Sequence, residues 1–412
     1  MSKNNITLEN IVEGIQDLAQ SLAKPADRIT LSDLANFGIS ERQVRKFGGL
    51  AKIKSNFFPL NNKDLKIITQ LTSNSSYTAK LEKQIGSRLV LEEELSKAIS
   101  KVPVCKIKPF KSKNKKKISR ELTLVLSDLH FGSDLKKEET GSLDFGKVEE
   151  ARRLAKVIKE TIEYKEHYRN ETALNVLIIG DIIENRLHDP TTGAPVAEQS
   201  ARAIYLLTQA LAQLSANFPK VKVLFATGNH GRNTARHHTR ATQQKWDSIE
   251  SIIYYAVKNA LRNNKNVEFN FPLTPYATYE VFGKKMFVTH GDTVLNLGYP
   301  GSNVNTKSLE NQINKINAGL PDQDEYAVFI GGHVHVGCMV YLSNGAVVIT
   351  NGPLVPPNEY AISIGLMECV CGQYLFESVP DYPVGDSRYI RVSLDDDKNK
   401  ELDKIIKPWE NF

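Results

Sequence analysis

The sequence predicts an α/β layered domain behind a small helical N-terminal domain. From residue 121 onward, short apolar runs alternate with longer stretches at helical spacing. Five of these runs end in a cluster of Asp, Asn or His, whereas the first hundred residues carry apolar positions at helical spacing. Strands with polar C-terminal tips, joined by helices, mark an α/β layered arrangement.

The N-terminal region, residues 1–100, reads as helical in ITLENIVEGIQDLAQSLA and in KLEKQIGSRLVLEEELSKAI. Between them, TLSDLANFGISERQVRKFGGL has the pattern of two helices and a turn. Leu31 and Leu34 face a core, Gly38 makes the turn, and Ser40 caps the second helix with Gln43 closing a capping box. Val44 and Phe47 form the buried side of that helix, leaving Arg42, Arg45 and Lys46 outward. The segment resembles a helix-turn-helix, whose second helix enters a DNA groove or rides on phosphates. A plain helical hairpin with a solvated basic face is the alternative.

Residues 101–120, KVPVCKIKPFKSKNKKKISR, hold nine basic residues and no acidic one. So charged a run buries little and reads as an exposed linker, with Lys115, Lys116 and Lys117 placed to track phosphates. The catalytic candidate spans 121–380, and residues 381–412 form a C-terminal strand and tail. Its strands are expected in ELTLVLSDLH, ALNVLIIGD, KVKVLFATGNH, KKMFVTHGD and YAVFIGGHVH, and its first helices in FGKVEEARRLAKVIKETIEYKEHY and EQSARAIYLLTQALAQLSANF. MECVCGQYLFESVP and RYIRVSLD read as further strands. Cys369 and Cys371 alternate in the first of these and read as sharing a strand face; a zinc ligand pair is the other reading, at a spacing shorter than the usual two-residue knuckle.

Bulk properties narrow the classes. A chain of 412 residues can hold one large core and a smaller module. No uncharged apolar stretch of about 18 residues occurs, and MSKNNITLENIVEG lacks the order of a secretory signal, so a cytoplasmic protein with no membrane partner is expected. Cys105, Cys338, Cys369 and Cys371 are too scattered for a disulfide framework. The net charge of +6 divides unevenly: residues 1–120 carry 23 Lys and Arg against 11 Asp and Glu, and the remainder 30 against 36. A basic arm beside an acidic body suggests contact with a polyanion.

The chemistry lies at the strand ends. Asp128 and His130 follow the first run two residues apart, on one face of an extended chain. Asp181 follows the second, Asn229 and His230 the third, His290 the fourth, and His333 with His335 the fifth. Carboxylate, amide and imidazole together suit borderline or hard divalent ions, and seven such ligands suit two ions better than one. Singly, each residue has an ordinary explanation as a helix cap or a bonded core histidine; their recurrence at five strand ends does not.

In order, D-x-H, G-D, G-N-H, H-G-D and G-H-x-H resemble the calcineurin-like metallophosphoesterase family over about residues 121–355. The resemblance implies a β-sandwich flanked by helices with two metals at its edge. It implies that Asp128, His130 and His335 hold one metal, that Asn229, His290 and His333 hold the other, and that Asp181 bridges. His230 would meet the scissile phosphate and protonate the leaving oxygen, as a histidine can near neutral pH. Two close cations activate water for in-line attack on phosphorus; Mn²⁺ is the expected ion, with Fe²⁺, Zn²⁺ and Mg²⁺ as alternatives. Asp292 is a candidate to hydrogen-bond a ligand imidazole, and Glu184 to orient the loop after Asp181, although caps or turns would account for either.

Many family members place an acidic residue after G-N-H. Here Gly231 and Arg232 follow, and the same loop carries Arg236 and Arg240. Arginine forks suit phosphate oxygens, so an extended polyanion explains this charge better than a monoester. The leading reading is a metal-dependent DNA nuclease, similar to SbcD-type repair nucleases and to phage-encoded metallophosphoesterases carrying G-N-H-G-R. Only about 60 residues follow the last motif, less than the DNA-capping domain of the repair enzymes, which leaves endonuclease or single-strand activity open. The second reading is a phosphodiesterase or phosphatase for small nucleotides or phosphoproteins that uses its N-terminal region to form a homo-oligomer. The third is a DNA-binding regulator with an inert phosphoesterase domain.

Overall fold

A computed structural model describes residues 119–392, apart from 142, 167–171, 187–192, 234–244, 299, 302–303, 322–323 and 367–368. It also describes residues 11, 14, 15, 17, 18, 29–36, 39–47, 49, 50, 53 and 406. The chain divides into two units, Met1–Val90 and Leu91–Phe412.

In the first unit, α1 (Leu31–Asn36) and α2 (Glu41–Arg45) share a core of Ile11, Ile15, Leu18, Ile29, Leu34, Ile39, Val44 and Ile53. Asp33 Oδ2 accepts the Thr30 N–H at 2.7 Å and Thr30 Oγ1 accepts the Asp33 N–H at 3.1 Å, a reciprocal cap that starts α1. Gln43 Oε1 accepts the Ser40 N–H at 2.8 Å and starts α2. Leu31 and Phe47 are half-buried against the core, while Arg42, Arg45 and Lys46 are exposed. Arg45 pairs with Glu41 at 2.6 Å across one helical turn. Gly38, the segment 80–99 and Lys115, Lys116 and Lys117 lie outside the described residues.

The second unit is built on two sheets. The first has the order β11-β10-β1-β2-β3-β4, and the second β5-β6-β7-β9-β8. β1 (Glu121–Leu126), β2 (Ala173–Ile179), β3 (Val221–Ala226) and β4 (Val267–Asn270) run parallel, and β10 (Gly372–Ser378) and β11 (Ser387–Arg391) extend the sheet antiparallel. In the second sheet β6 (Lys284–Val288), β7 (Tyr326–Gly331) and β9 (Val347–Thr350) are parallel, with β5 (Ala277–Val281) and β8 (Cys338–Tyr341) antiparallel at the edges.

Period-two alternation assigns the faces. Val125, Leu177, Ile179 and Leu224 of the first sheet meet Met286, Val288, Val328, Ile330 and Ile349 of the second in one dry interior. Their neighbours Leu124, Val176, Ile178, Val223 and Phe225 point the other way, onto α3 (Lys147–Glu166), α4 (Val196–Asn217) and α5 (Ile249–Ala260). Phe287, Phe329 and Val348 pack on α6 (Thr306–Asn317). Burying each such Leu, Ile, Val or Phe contributes about 1.5–3 kcal/mol, which fixes the register against a one-residue slip. The result is a β-sandwich flanked by helices, as the motifs implied.

One strand expectation needs correcting. The alternation in MECVCGQYLF predicts strand throughout, yet β10 starts at Gly372, so Cys369 and Cys371 precede it. Gly372 N–H is bonded to the Pro353 carbonyl at 3.0 Å, the ladder with β11 starts at Gly372, and before it the Cys371 carbonyl accepts one further bond, from Val392 N–H at 3.0 Å. Among the described residues no helix is long and apolar enough to cross a membrane.

Candidate metal centre at the sheet edge

Parallel pairing of β1 with β2, and of β2 with β3, puts their C-terminal ends level, so Asp128, Asp181 and Asn229 emerge side by side. Across the sandwich, β6 and β7 end level too, delivering His290 and His333 to the same edge. The turns are tight: Asp128, His130, Asp181, His333 and His335 all adopt positive φ, between 47° and 68°. Left-handed backbone costs a side-chain-bearing residue about 1–2 kcal/mol, so packing must hold each of these in place. Two motif glycines permit the crowding, for a Cβ at Gly228 would lie 2.1 Å from Asp181 Oδ1 and one at Gly332 2.3 Å from Asp128 Oδ2.

Three sets of donor atoms converge, each within 4.8 Å: Asp128, His130 and His335; Asp181, His290 and His333; and His130, Glu184 and His230. Asn229 joins the second set, with Oδ1 3.2 Å from His290 Nε2, which is itself 3.0 Å from Asp181 Oδ2. Backbone bonds tie the sets together. His333 N–H donates to Asp128 Oδ1 at 3.0 Å and His230 N–H to Asp181 Oδ1 at 2.8 Å.

The imidazoles are oriented from behind. His130 Nδ1 donates to Glu184 Oε2 at 2.7 Å, His290 Nδ1 to the Ile179 carbonyl at 2.9 Å, and His230 Nδ1 to the Glu184 carbonyl at 2.7 Å. His130 Nε2 is thereby aimed inward, buried and without a hydrogen-bond partner. An orphaned imidazole nitrogen amid carboxylates is what a divalent cation would satisfy, and the donor set fits such an ion. Asp128, His130 and His335 would hold one ion, and Asp181, Asn229, His290 and His333 a second.

The charges of the ion-free site are strongly coupled. Burial opposes ionisation of Asp181, but the charges of His290 and His230 hold it well below the ordinary carboxylate range. His290, despite burial, is raised to about 10 by Asp181, while burial and the charge of His290 take His333 down to about 4. Burial also works against a charged His230, yet Asp181 and Glu184 raise it above the usual histidine range. The Nδ1 of His230 stays committed to the Glu184 carbonyl.

The chain matches no protein family model and no curated protein. Among solved structures it is similar to a dimetal phosphatase from Danio rerio, at 13% identity and TM-score 0.30, covering 66% of this chain and 99% of that one. It is similar also to a 5'-nucleotidase from Candida albicans, at 11% identity and TM-score 0.32, covering 73% and 59%. The phosphopantetheinyl hydrolase of Mycobacterium tuberculosis is a third, at 12% identity and TM-score 0.24, covering 57% and 91%.

Two of the sequence expectations change partners. Asp292 meets Lys245 Nζ and not a ligand imidazole. The imidazole-orienting carboxylate is Glu184, which binds His130 and the Ser133 hydroxyl directly. Its own carboxyl is held down at about 2, against burial, by the charge and bond of His130. Arg232 is half-buried beside His230, whereas Arg236 and Arg240 lie outside the described residues. Among the described residues, Cys369 and Cys371 join no set of metal donors.

Sequence reasoning missed Glu250. It sits in the first turn of α5, where the Ser248 side chain caps the helix. Its Oε1 accepts the Ile182 N–H at 2.7 Å and its Oε2 the Gly228 N–H at 2.7 Å, so one fully buried carboxylate joins the loop after Asp181 to the loop before Asn229. Burial, with the charge of Asp181, raises Glu250 to about 7. Gly231 makes room for it, because a Cβ there would lie 2.5 Å from Glu250 Cγ. Asn185 was missed also: its Nδ2 holds the His230 carbonyl at 2.5 Å and that of Arg232 at 3.2 Å. The only signal for Glu250 was an acid on the buried face of a helix, which reads as a capping residue until the fold is known.

Proposed function

We propose that this chain is a dinuclear-metal phosphodiesterase acting on nucleic acid, most simply a DNA nuclease. The observation that carries the phosphoesterase reading is the convergence of Asp128, His130, Asp181, Asn229, His290, His333 and His335 on one sheet edge, with His130 Nε2 left unsatisfied. Two divalent ions bound there would supply an activated water and neutralise phosphoryl oxygens. The chain's own contribution is positioning and a proton. Glu184 fixes His130, Glu250 fixes the two loops, and His230 offers its Nε2 proton to the leaving oxygen while Nδ1 stays on the Glu184 carbonyl.

Nucleic acid is favoured by charge. Arg232 follows the proton donor by two residues, its backbone pinned by Asn185, and the basic sequence of the loop continues through Arg236 and Arg240. Arg42 and Arg45 on α2, Lys46 after it, and the lysines of 101–120 would add further phosphate contacts. The test is cleavage of labelled single- and double-stranded DNA by the Mn²⁺-loaded chain, with His230→Ala as control and an aryl phosphodiester alongside. DNA cleavage lost in the variant supports the proposal. Hydrolysis of the aryl diester alone would overturn nucleic acid as substrate and make small nucleotides the leading class.

A further inference from the structure

We propose that Cys369 and Cys371 are a redox-active dithiol that closes to a disulfide on reaction with peroxide, two hydrogen bonds behind the Asp128 end of the metal centre. Their Sγ atoms are 3.7 Å apart, and a disulfide is about 2.0 Å long, so closure needs a shift of less than about 2 Å. Both cysteines are half-buried, and Val370 between them is 56% exposed, so a small oxidant can reach the pair.

Behind the thiols lies Arg153, a fully buried cation that donates from Nη1 to the Leu354 carbonyl at 2.5 Å and from Nε to Glu149 Oε1 at 3.0 Å. A thiol beside a buried guanidinium is predisposed to ionise. The hydrogen bond from Cys369 lowers Cys371 to about 7 against the effect of burial, with the charge of Arg153 assisting. The same bond, with burial, pushes Cys369 up. Cys371, the thiol that the Arg153 side chain hydrogen-bonds, is assigned as the attacking sulfur and Cys369 as the resolving one.

The chemistry balances with peroxide as the oxidant. The Cys371 thiolate attacks one peroxide oxygen; the S–O bond forms as the O–O bond breaks, and hydroxide leaves to become water. Cys369 then attacks the sulfenic sulfur, its proton leaving with the displaced hydroxide as a second water. Two thiols are oxidised by two electrons and one peroxide is reduced.

The pair is wired to the site through residues 353–355. The thiol of Cys371 donates to the Val355 carbonyl at 3.4 Å, Gly372 N–H holds the Pro353 carbonyl at 3.0 Å, and Leu354 N–H donates to the Asp128 carbonyl at 2.9 Å. Closing the disulfide removes the thiol bond to Val355 and shifts the strap that holds Asp128. The disulfide itself is independent of the proposed function; its effect on metal binding rests on that reading.

The experiment treats the full chain with hydrogen peroxide, alkylates remaining thiols and maps the peptide containing both cysteines by mass spectrometry. Expected is a peptide lighter by two hydrogen atoms, unalkylated and restored by dithiothreitol, with Cys371→Ser leaving Cys369 open to alkylation. Two alkylated cysteines after peroxide, or oxygen added to one sulfur with no disulfide, would overturn the dithiol. Calorimetry with Mn²⁺ alone then reads the coupling: oxidation should weaken binding about tenfold in the parent and not in a Cys369→Ser, Cys371→Ser chain. Equal affinity in both redox states overturns the coupling. A reduced chain that binds no Mn²⁺ defeats the metal-centre reading and the coupling with it, while the mass spectrum still decides the dithiol.

Discussion

Glu184 stands behind His130, with Oε2 2.7 Å from Nδ1, so that the ring's other nitrogen faces inward with nothing to bond. Carboxylates in this position fix the tautomer of a ligating histidine and raise its basicity, typically by enough to change metal affinity 10- to 100-fold. Glu184→Ala should weaken Mn²⁺ binding by about that factor in calorimetry, with Glu184→Gln recovering part of it. Unchanged affinity in both variants would remove Glu184 from the metal centre.

Glu250 accepts two backbone N–H groups, and an amide in its place can accept only with its oxygen. Glu250→Gln should therefore leave one buried N–H facing an NH₂ group, costing roughly 1–3 kcal/mol. If the residue positions the ligand loops, the rise in melting temperature on adding Mn²⁺ shrinks as well. An unchanged metal-induced rise, with only the ion-free chain weakened, would make its role structural.

Replacing His230, the proposed proton donor, separates catalysis from binding. His230→Ala should lower turnover by about 10²- to 10⁴-fold while elemental analysis finds the metal content of the parent. Loss of metal would instead make His230 a ligand.

Glu150 gives a pH signature from a carboxyl outside the converging donor sets. It is fully buried, its Oε1 bonded to Gly132 N–H at 2.6 Å, and burial raises it from the ordinary 4.5 to about 7, against that bond and the charge of Arg202. A raised carboxyl stabilises the fold fully below pH 4.5 and loses that contribution as pH rises through about 7. Between pH 5 and 8 the parent should lose roughly 2–3 kcal/mol relative to Glu150→Gln, read as the gap between their denaturation curves. Parallel curves would show that Glu150 does not titrate in this window.

Charge beside the site should appear as salt dependence. Arg232→Ala should reduce the slope of log affinity for DNA against log salt by about 1. A slope equal to the parent's would leave Arg232 without a phosphate.

The strand ends were legible because their signal is local: an apolar run stops and a ligand-type side chain follows, as in VLIIG with Asp181. The sheet pairing that levels those ends needed only ordinary parallel connections. Glu250 and Lys245 were hidden because their meaning arises across the fold, from contacts to Gly228 and Asp292 that no spacing encodes. Asp292 misled for the same reason: H-G-D places it near a ligand, but a lysine 47 residues earlier reaches it first. The cysteines were misplaced because β propensity does not mark where pairing begins, and Gly372 is where it does.

The left-handed turns at Asp128, His130, Asp181, His333 and His335 set folding against chemistry. A glycine at any of the five would relieve about 1–2 kcal/mol of backbone strain while deleting a donor atom. At Asp128 and Asp181 it would also strand the N–H groups of His333 and His230, at roughly 1–3 kcal/mol each, which offsets the relief. The two carboxylates thus hold their own turns in the ion-free chain, each by the hydrogen bond that its side chain accepts from another strand end.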